Sequence, residues 1–292
     1  KKFKVNYLRA KAISDLGGPL CRPSTESMDV PDDTYADGAN ARAAVKMLDK
    51  LAKAKAPFFL SVGFSKPHLP FVAPKKYWDL YSQDDISLAA FRQRAKNSPN
   101  IAYKGSNLGE ISSYSDIPNQ GPLTAQKQIQ LIHGYMAATS YMDAQVGLLL
   151  DKLEALGIKD NTVVILWGDH GFHLGDHGLW TKHTNFEQST RSPLLIKDPT
   201  IKKTVQVKSP TEFIDVFPTL CDLSNIEIPQ VLDGISLRPQ ILGQGVSSKI
   251  FAVSQYPRGG IMGYSFRTKS HRYTVWIKNK KSTEPIYIED IY

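Results

Sequence analysis

Four of the seven histidines fall within fourteen positions, in the run Gly168-Asp169-His170-Gly171-Phe172-His173-Leu174-Gly175-Asp176-His177-Gly178-Leu179-Trp180-Thr181-Lys182-His183. Its glycines let the backbone bend, so that several side chains can face one point. Asp169 and His170 set an oxygen donor beside a nitrogen donor, a combination that suits a divalent cation. Lys182 offers a compact positive charge for a tetrahedral oxyanion. His173, His177 and His183 read equally well as groups that orient these three. The plainer alternative is a glycine-rich surface loop whose histidines bond only the backbone.

His68 is the second candidate, in Lys66-Pro67-His68-Leu69-Pro70. Two prolines three apart exclude a helix and fix φ beside the histidine. An imidazole with an ordinary pKa of ~6.5 can hand a proton to a leaving group near neutral pH. A hydrogen-bonded histidine in a tight loop is the alternative.

These residues need elements to hold them. The pattern predicts a helix over about 39–55, stopped by Ala56-Pro57, then a buried strand Phe58–Phe64 that feeds the His68 loop. A long polar stretch without periodicity follows, to about Thr124. Helical spacing resumes from Thr124 to Leu156, with a break expected near Gly134 and Gly157 as the C-cap. Thr162-Val163-Val164-Ile165-Leu166-Trp167 is a continuous β-branched run, expected as a central parallel strand covered on both faces. It ends at Asp169, and the carboxyl ends of strands are where α/β sheets gather ligand groups. A short strand at 192–196, a helix at 212–223 and antiparallel strands beyond about 250 complete the pattern. The fold class is α/β, with a large domain at 1–240 and a smaller C-terminal α+β subdomain beginning at 241–292.

The 292 residues are 41% hydrophobic and 22% charged, which excludes collagen-like and strongly disordered chains. A net charge of +8 favours anionic partners. The basic residues are dispersed, and no nucleic-acid-binding motif accompanies them, so nucleic acid is not an expected partner. No apolar run approaches the ~20 residues of a membrane span. No targeting signal is evident. Cys21 and Cys221 make no disulfide framework; they are two thiols or a single bridge.

Taken together, several of these strings resemble the sulfatases of the alkaline-phosphatase-like superfamily, especially the iduronate-2-sulfatase branch. The matching text is Pro57–Phe64 with Lys66-Pro67-His68-Leu69-Pro70-Phe71, Tyr141-Met142-Asp143-Ala144-Gln145-Val146-Gly147, Gly168–Gly178, Trp180-Thr181-Lys182, Ser254-Gln255-Tyr256-Pro257-Arg258, and Ile261–Thr268. The resemblance implies a sulfuric ester hydrolase acting on a sulfated saccharide, with a formylglycine nucleophile and a Ca2+ ion. It implies Asp169 and His170 at the metal, Lys182 on the sulfate and His68 near the leaving oxygen. It also implies a secreted, periplasmic or lysosomal setting. His173, Arg258 and Arg267 are expected at a substrate rim, together with Lys269 and Arg272, although a solvated charged surface explains the arginines as well. Gly260 stands where uronate-binding relatives are expected to carry Lys.

The family's signature, Cys-x-Pro-Ser-Arg with a following Thr-Gly, is not matched by Cys21-Arg22-Pro23-Ser24-Thr25-Glu26. The nucleophile and two metal-binding aspartates are therefore expected outside this chain, in a fold incomplete at both ends or completed by a complementary N-terminal chain. Alternatives are a phosphoester or phosphonate hydrolase of the same superfamily, and an inactive module binding anionic glycans.

Overall fold

A computed structural model describes residues 22–103, 105, 107–118, 122–244, 249–278 and 285–291. Cys21 lies outside them. The fold is α/β, with two-stranded sheets, one parallel and one antiparallel, flanked by helices, and a C-terminal antiparallel sheet. It divides into two compact units, one drawn from residues 1–93, 108–159 and 174–180, the other from 94–107, 160–173 and 181–292.

In the first unit, β1 (Thr25–Met28) pairs in parallel with β2 (Phe71–Pro74). Between them in sequence runs α1 (Ala36–Ala54), which buries Ala41, Ala44 and Leu48. Its expected end holds: Lys55 turns left-handed at φ 52° just beyond the last helical residue. The short α2 (Lys75–Trp78) buries Tyr77 and Trp78. The long α3 (Ala125–Ala155) begins at Thr124, whose side chain accepts from Lys127 N, and ends at Gly157, φ +68°. Tyr35, Val72, Ala73, Tyr77, Trp78, Ala137 and Tyr141 form the core between these elements.

The break expected near Gly134 does not occur. A Cβ there would lie 2.9 Å from the Trp78 ring and 3.0 Å from Phe71 Cβ. The glycine therefore marks where α3 presses onto the first sheet, not where it stops. Phe58–Phe64 also departs from expectation. Its burial alternates residue by residue as a strand's does, but it joins no ladder among the described residues. Apolar patterning makes the segment extended, while a ladder also requires a neighbouring backbone.

In the second unit, β3 (Val164–Trp167) runs antiparallel to β4 (Leu194–Lys197), with α4 (Glu187–Thr190) between them in sequence. The expected central parallel strand is thus corrected on direction and coverage, since Trp167 is 46% exposed. A β-branched run reports apolar surroundings, not strand direction. Next, α5 (Val216–Leu223) follows a 3-10 turn capped reciprocally by Glu212 and Asp215, and α6 (Arg238–Ile241) is one short turn. The C-terminal sheet is an antiparallel meander of β5 (Ala252–Pro257), β6 (Ile261–Arg267), β7 (Arg272–Lys278) and β8 (Pro285–Ile291). Trp276 is buried within it at 1% exposure. No helix among the described residues is long and apolar enough to cross a membrane.

Candidate functional site

The chain leaves β3 through Gly168, whose N–H donates to Pro193 O and whose carbonyl accepts from Ser192 Oγ. That tie fixes where Asp169 and His170 emerge. Asp169 is 86% exposed at its side chain and caps His170 N through Oδ1 at 3.0 Å. His170 Nδ1 lies 2.7 Å from Gly171 O. A carbonyl only accepts, so Nδ1 carries the hydrogen and Nε2 keeps its lone pair in the neutral ring. Nε2 lies 3.7 Å from Asp169 Oδ2, so an oxygen and a nitrogen donor stand side by side on an accessible loop.

Gly171 is required just beyond. A Cβ there would lie 2.1 Å from Gln188 O, so only glycine lets this loop close on α4, with Gly171 N donating to Ser189 O. His173 N donates to Thr181 O, the residue before Lys182, which ties that segment to His173.

Calcium takes six to eight oxygen ligands. Asp169 and His170 offer two donors, one of them nitrogen, and among the described residues no group of three or more His, Cys, Asp or Glu could hold a metal ion. These residues alone do not fit a calcium shell.

The other expected residues fall in different surroundings. His173 is 2% exposed, its Nε2 2.9 Å from Thr184 Oγ1 and its ring edge-on to Phe186. It is an interior group that braces the loop, and not part of a rim. His177 belongs to the first unit, where its N–H donates to Phe91 O. His183 stacks on Tyr256 at 5.8 Å.

Arg258 lies over the opposite partner of that stack, 4.6 Å from the Tyr256 ring centre, and donates to His183 O and Ala102 O. Burial lowers its pKa. It fastens the residue that follows Lys182. Arg267 donates Nε and Nη2 to Glu187, and Arg272 donates to Glu187, Asn185 O, Ser265 Oγ and Thr190 Oγ1. The arginines expected at a rim thus anchor the C-terminal sheet to the segment after Lys182. Glu187, their common acceptor, has no sequence signal, because its partners lie about eighty positions away.

His68 belongs to the first unit. Its loop is a turn closed by His68 N to Ser65 O at 2.9 Å, with cis peptides at Lys66–Pro67 and Leu69–Pro70. Nδ1 lies 2.7 Å from Leu69 O and so carries the hydrogen, which leaves Nε2 to face Glu110 Oε1 at 3.5 Å. Glu110 is another neighbour that sequence spacing does not reveal.

Residues 7–226 match the family described as Sulfatase, and residues 175–279 match "N-sulphoglucosamine sulphohydrolase, C-terminal". The chain is 28% identical to iduronate 2-sulfatase of Homo sapiens, over 86% of this chain and 57% of that protein. It is 32% identical to choline-sulfatase of Rhizobium meliloti, over 73% of this chain and 41% of the relative. It spans about half the length of these curated relatives. A phosphonate monoester hydrolase from Silicibacter pomeroyi shares the fold, with a TM-score of 0.71, 21% identity and coverage of 87% of this chain and 56% of the other.

Proposed function

The chain belongs to the sulfatase family, and from that premise we propose that it forms part of a hydrolase of anionic monoesters. The class of substrate is an ester of a tetrahedral oxyanion, whether sulfate, phosphate or phosphonate. One observation carries this reading: Asp169 Oδ2 and His170 Nε2 stand 3.7 Å apart just past the carboxyl end of β3, and Lys182 follows Thr181, whose carbonyl accepts from His173 N.

In this reading Lys182 offsets the charge that builds on non-bridging oxygens as the ester bond breaks. His68, with Nδ1–H committed to Leu69 O, acts through Nε2: the doubly protonated ring gives its Nε2 proton to the departing oxygen and is left as the neutral Nδ1–H form. Asp169 and His170 supply an exposed O/N edge that a divalent cation would share with further carboxylates. The chain's net charge of +8 supports an anionic substrate.

The narrower form is a saccharide sulfatase resembling iduronate 2-sulfatase, with a formylglycine nucleophile, Ca2+ and a secreted, periplasmic or lysosomal setting. It needs a nucleophile and ligands beyond the described residues. The broader reading rests on fewer groups, and the phosphonate arm draws support from a fold shared with that hydrolase.

The test is turnover of 4-nitrophenyl sulfate and of a 4-nitrophenyl phosphonate monoester by the intact gene product, with and without added Ca2+. Hydrolysis of either, lost in Lys182→Ala, supports the proposal and identifies the central atom. Heparin binding with neither ester cleaved would replace it with an inactive glycan-binding module.

A further inference from the structure

Lys66 is buried at 8% exposure and has no part in the proposed hydrolysis. Its Nζ donates to His68 O at 3.0 Å and to Pro70 O at 2.8 Å, so one ammonium holds both sides of the residue that carries His68's own acceptor, Leu69. Asp37, 2% exposed on α1, closes the loop's other end. Its Oδ1 and Oδ2 accept from Ser65 N at 2.9 and 3.0 Å, and Oδ2 also accepts from Lys66 N at 2.8 Å.

We propose that Lys66, backed by Asp37, is the positioning residue for His68: it holds the Leu69 carbonyl where it must accept from Nδ1, and thereby fixes Nε2 as the outward nitrogen. The inference rests on the reading of His68 as a proton donor. A buried ammonium is an expensive way to hold a surface loop, since apolar packing or backbone bonds would serve at lower cost. Burial pushes the Lys66 pKa down to about 8, against the favourable charge of Asp37. What the ammonium adds over a methylene chain is direction. Its donors reach two carbonyls at once, and the peptide between them carries the histidine's partner.

A direct experiment is 15N NMR of the intact protein. In the wild type, the Lys66 ammonium should give a slowly exchanging signal with hydrogen-bond couplings to the carbonyl carbons of His68 and Pro70. The His68 ring should show the Nδ1–H tautomer. In Lys66→Met the Nδ1–H fraction should fall toward the mixture of a free imidazole, and Lys66→Arg should restore part of it. With an active preparation, Lys66→Met should lower kcat about tenfold or more while KM stays within about twofold.

An unchanged His68 ring in a folded Lys66→Met protein would overturn the proposal. If that variant does not fold, missing couplings in the wild type would overturn it. A ring that responds in a protein that cleaves neither ester leaves the positioning intact and removes the activity. Turnover that depends on His68 beside an unresponsive ring does the reverse.

Discussion

Arg267 Nε donates to Glu187 Oε2 at 2.9 Å across eighty positions of sequence, and Arg272 joins the same carboxylate. Burial alone would raise the Glu187 pKa, but hydrogen bonds and charge from Arg267 and Arg272 outweigh it and hold the carboxyl below its usual range. A depressed carboxyl stabilises the fold above its unfolded value and loses that contribution as pH falls through the native one. Glu187→Gln is therefore expected to cost about 2 kcal/mol at neutral pH, discounted because the pair is partly exposed. The difference from wild type should shrink in acid. Urea denaturation at neutral pH and below the carboxylate range checks both.

Gly134→Ala sets two effects against each other. Alanine favours a helix over glycine by about 1 kcal/mol. Its Cβ would meet the Trp78 ring at 2.9 Å and Phe71 Cβ at 3.0 Å, inside a packed core. Overpacking of this kind costs about 1–3 kcal/mol. A net loss of stability with unchanged helix content is expected, and a rise in Tm would show that α3 can move outward.

How much of this was legible in the sequence depended on the range of the interaction. Ala56-Pro57 and Gly157 stop their helices as their local chemistry suggests, and β7 is one of the antiparallel strands expected beyond about 250. Asp169, His170 and Lys182 stood out because their spacing is local. Phe58–Phe64 alternates in exposure as a strand does, but it is not buried, with Phe59 80% exposed, and it joins no ladder among the described residues, because an apolar run fixes neither coverage nor partnership. Arg258 and Arg267 looked like free cations; their acceptors at His183 and Glu187 are remote in sequence. Asp37 and Lys66 were silent for the same reason, since only the fold brings α1 to the His68 loop.

Lys182→Ala should separate turnover from folding. An oxyanion contact is worth about a hundredfold or more in kcat, whereas loss of a half-buried lysine from a loop should move stability by less than about 1 kcal/mol. Kinetics and thermal unfolding on the same preparation decide it. Equal damage to both would make Lys182 a packing residue.

His68→Ala should slow substrates with poor leaving groups most. A proton donor matters in proportion to the basicity of the departing oxygen, so 4-nitrophenyl esters should be spared and alkyl or sugar esters should not. A plot of log kcat/KM against leaving-group pKa should steepen in the variant. Parallel lines would assign His68 to positioning the ester.

Two lysines make opposite pH predictions. Lys249 donates to Glu212 and Asp215; burial lowers its pKa, but the two carboxylates outweigh that and raise it. Its contribution is complete below the unfolded value and lost only as pH rises through the higher native one. Lys66 is lowered by burial from 10.5 to about 8. Below 8 both folded and unfolded chains hold its proton, and the fold bears the cost of a buried ammonium. Between about 8 and 10.5 the folded protein has released the proton while the unfolded chain still binds it, so this group makes stability rise with pH. The slope can reach about 1.4 kcal/mol per pH unit. Lys66→Met should remove that rise and leave the later loss from Lys249. Denaturant midpoints of both proteins across this interval would locate the source, and an identical rise in the variant would assign it to another group.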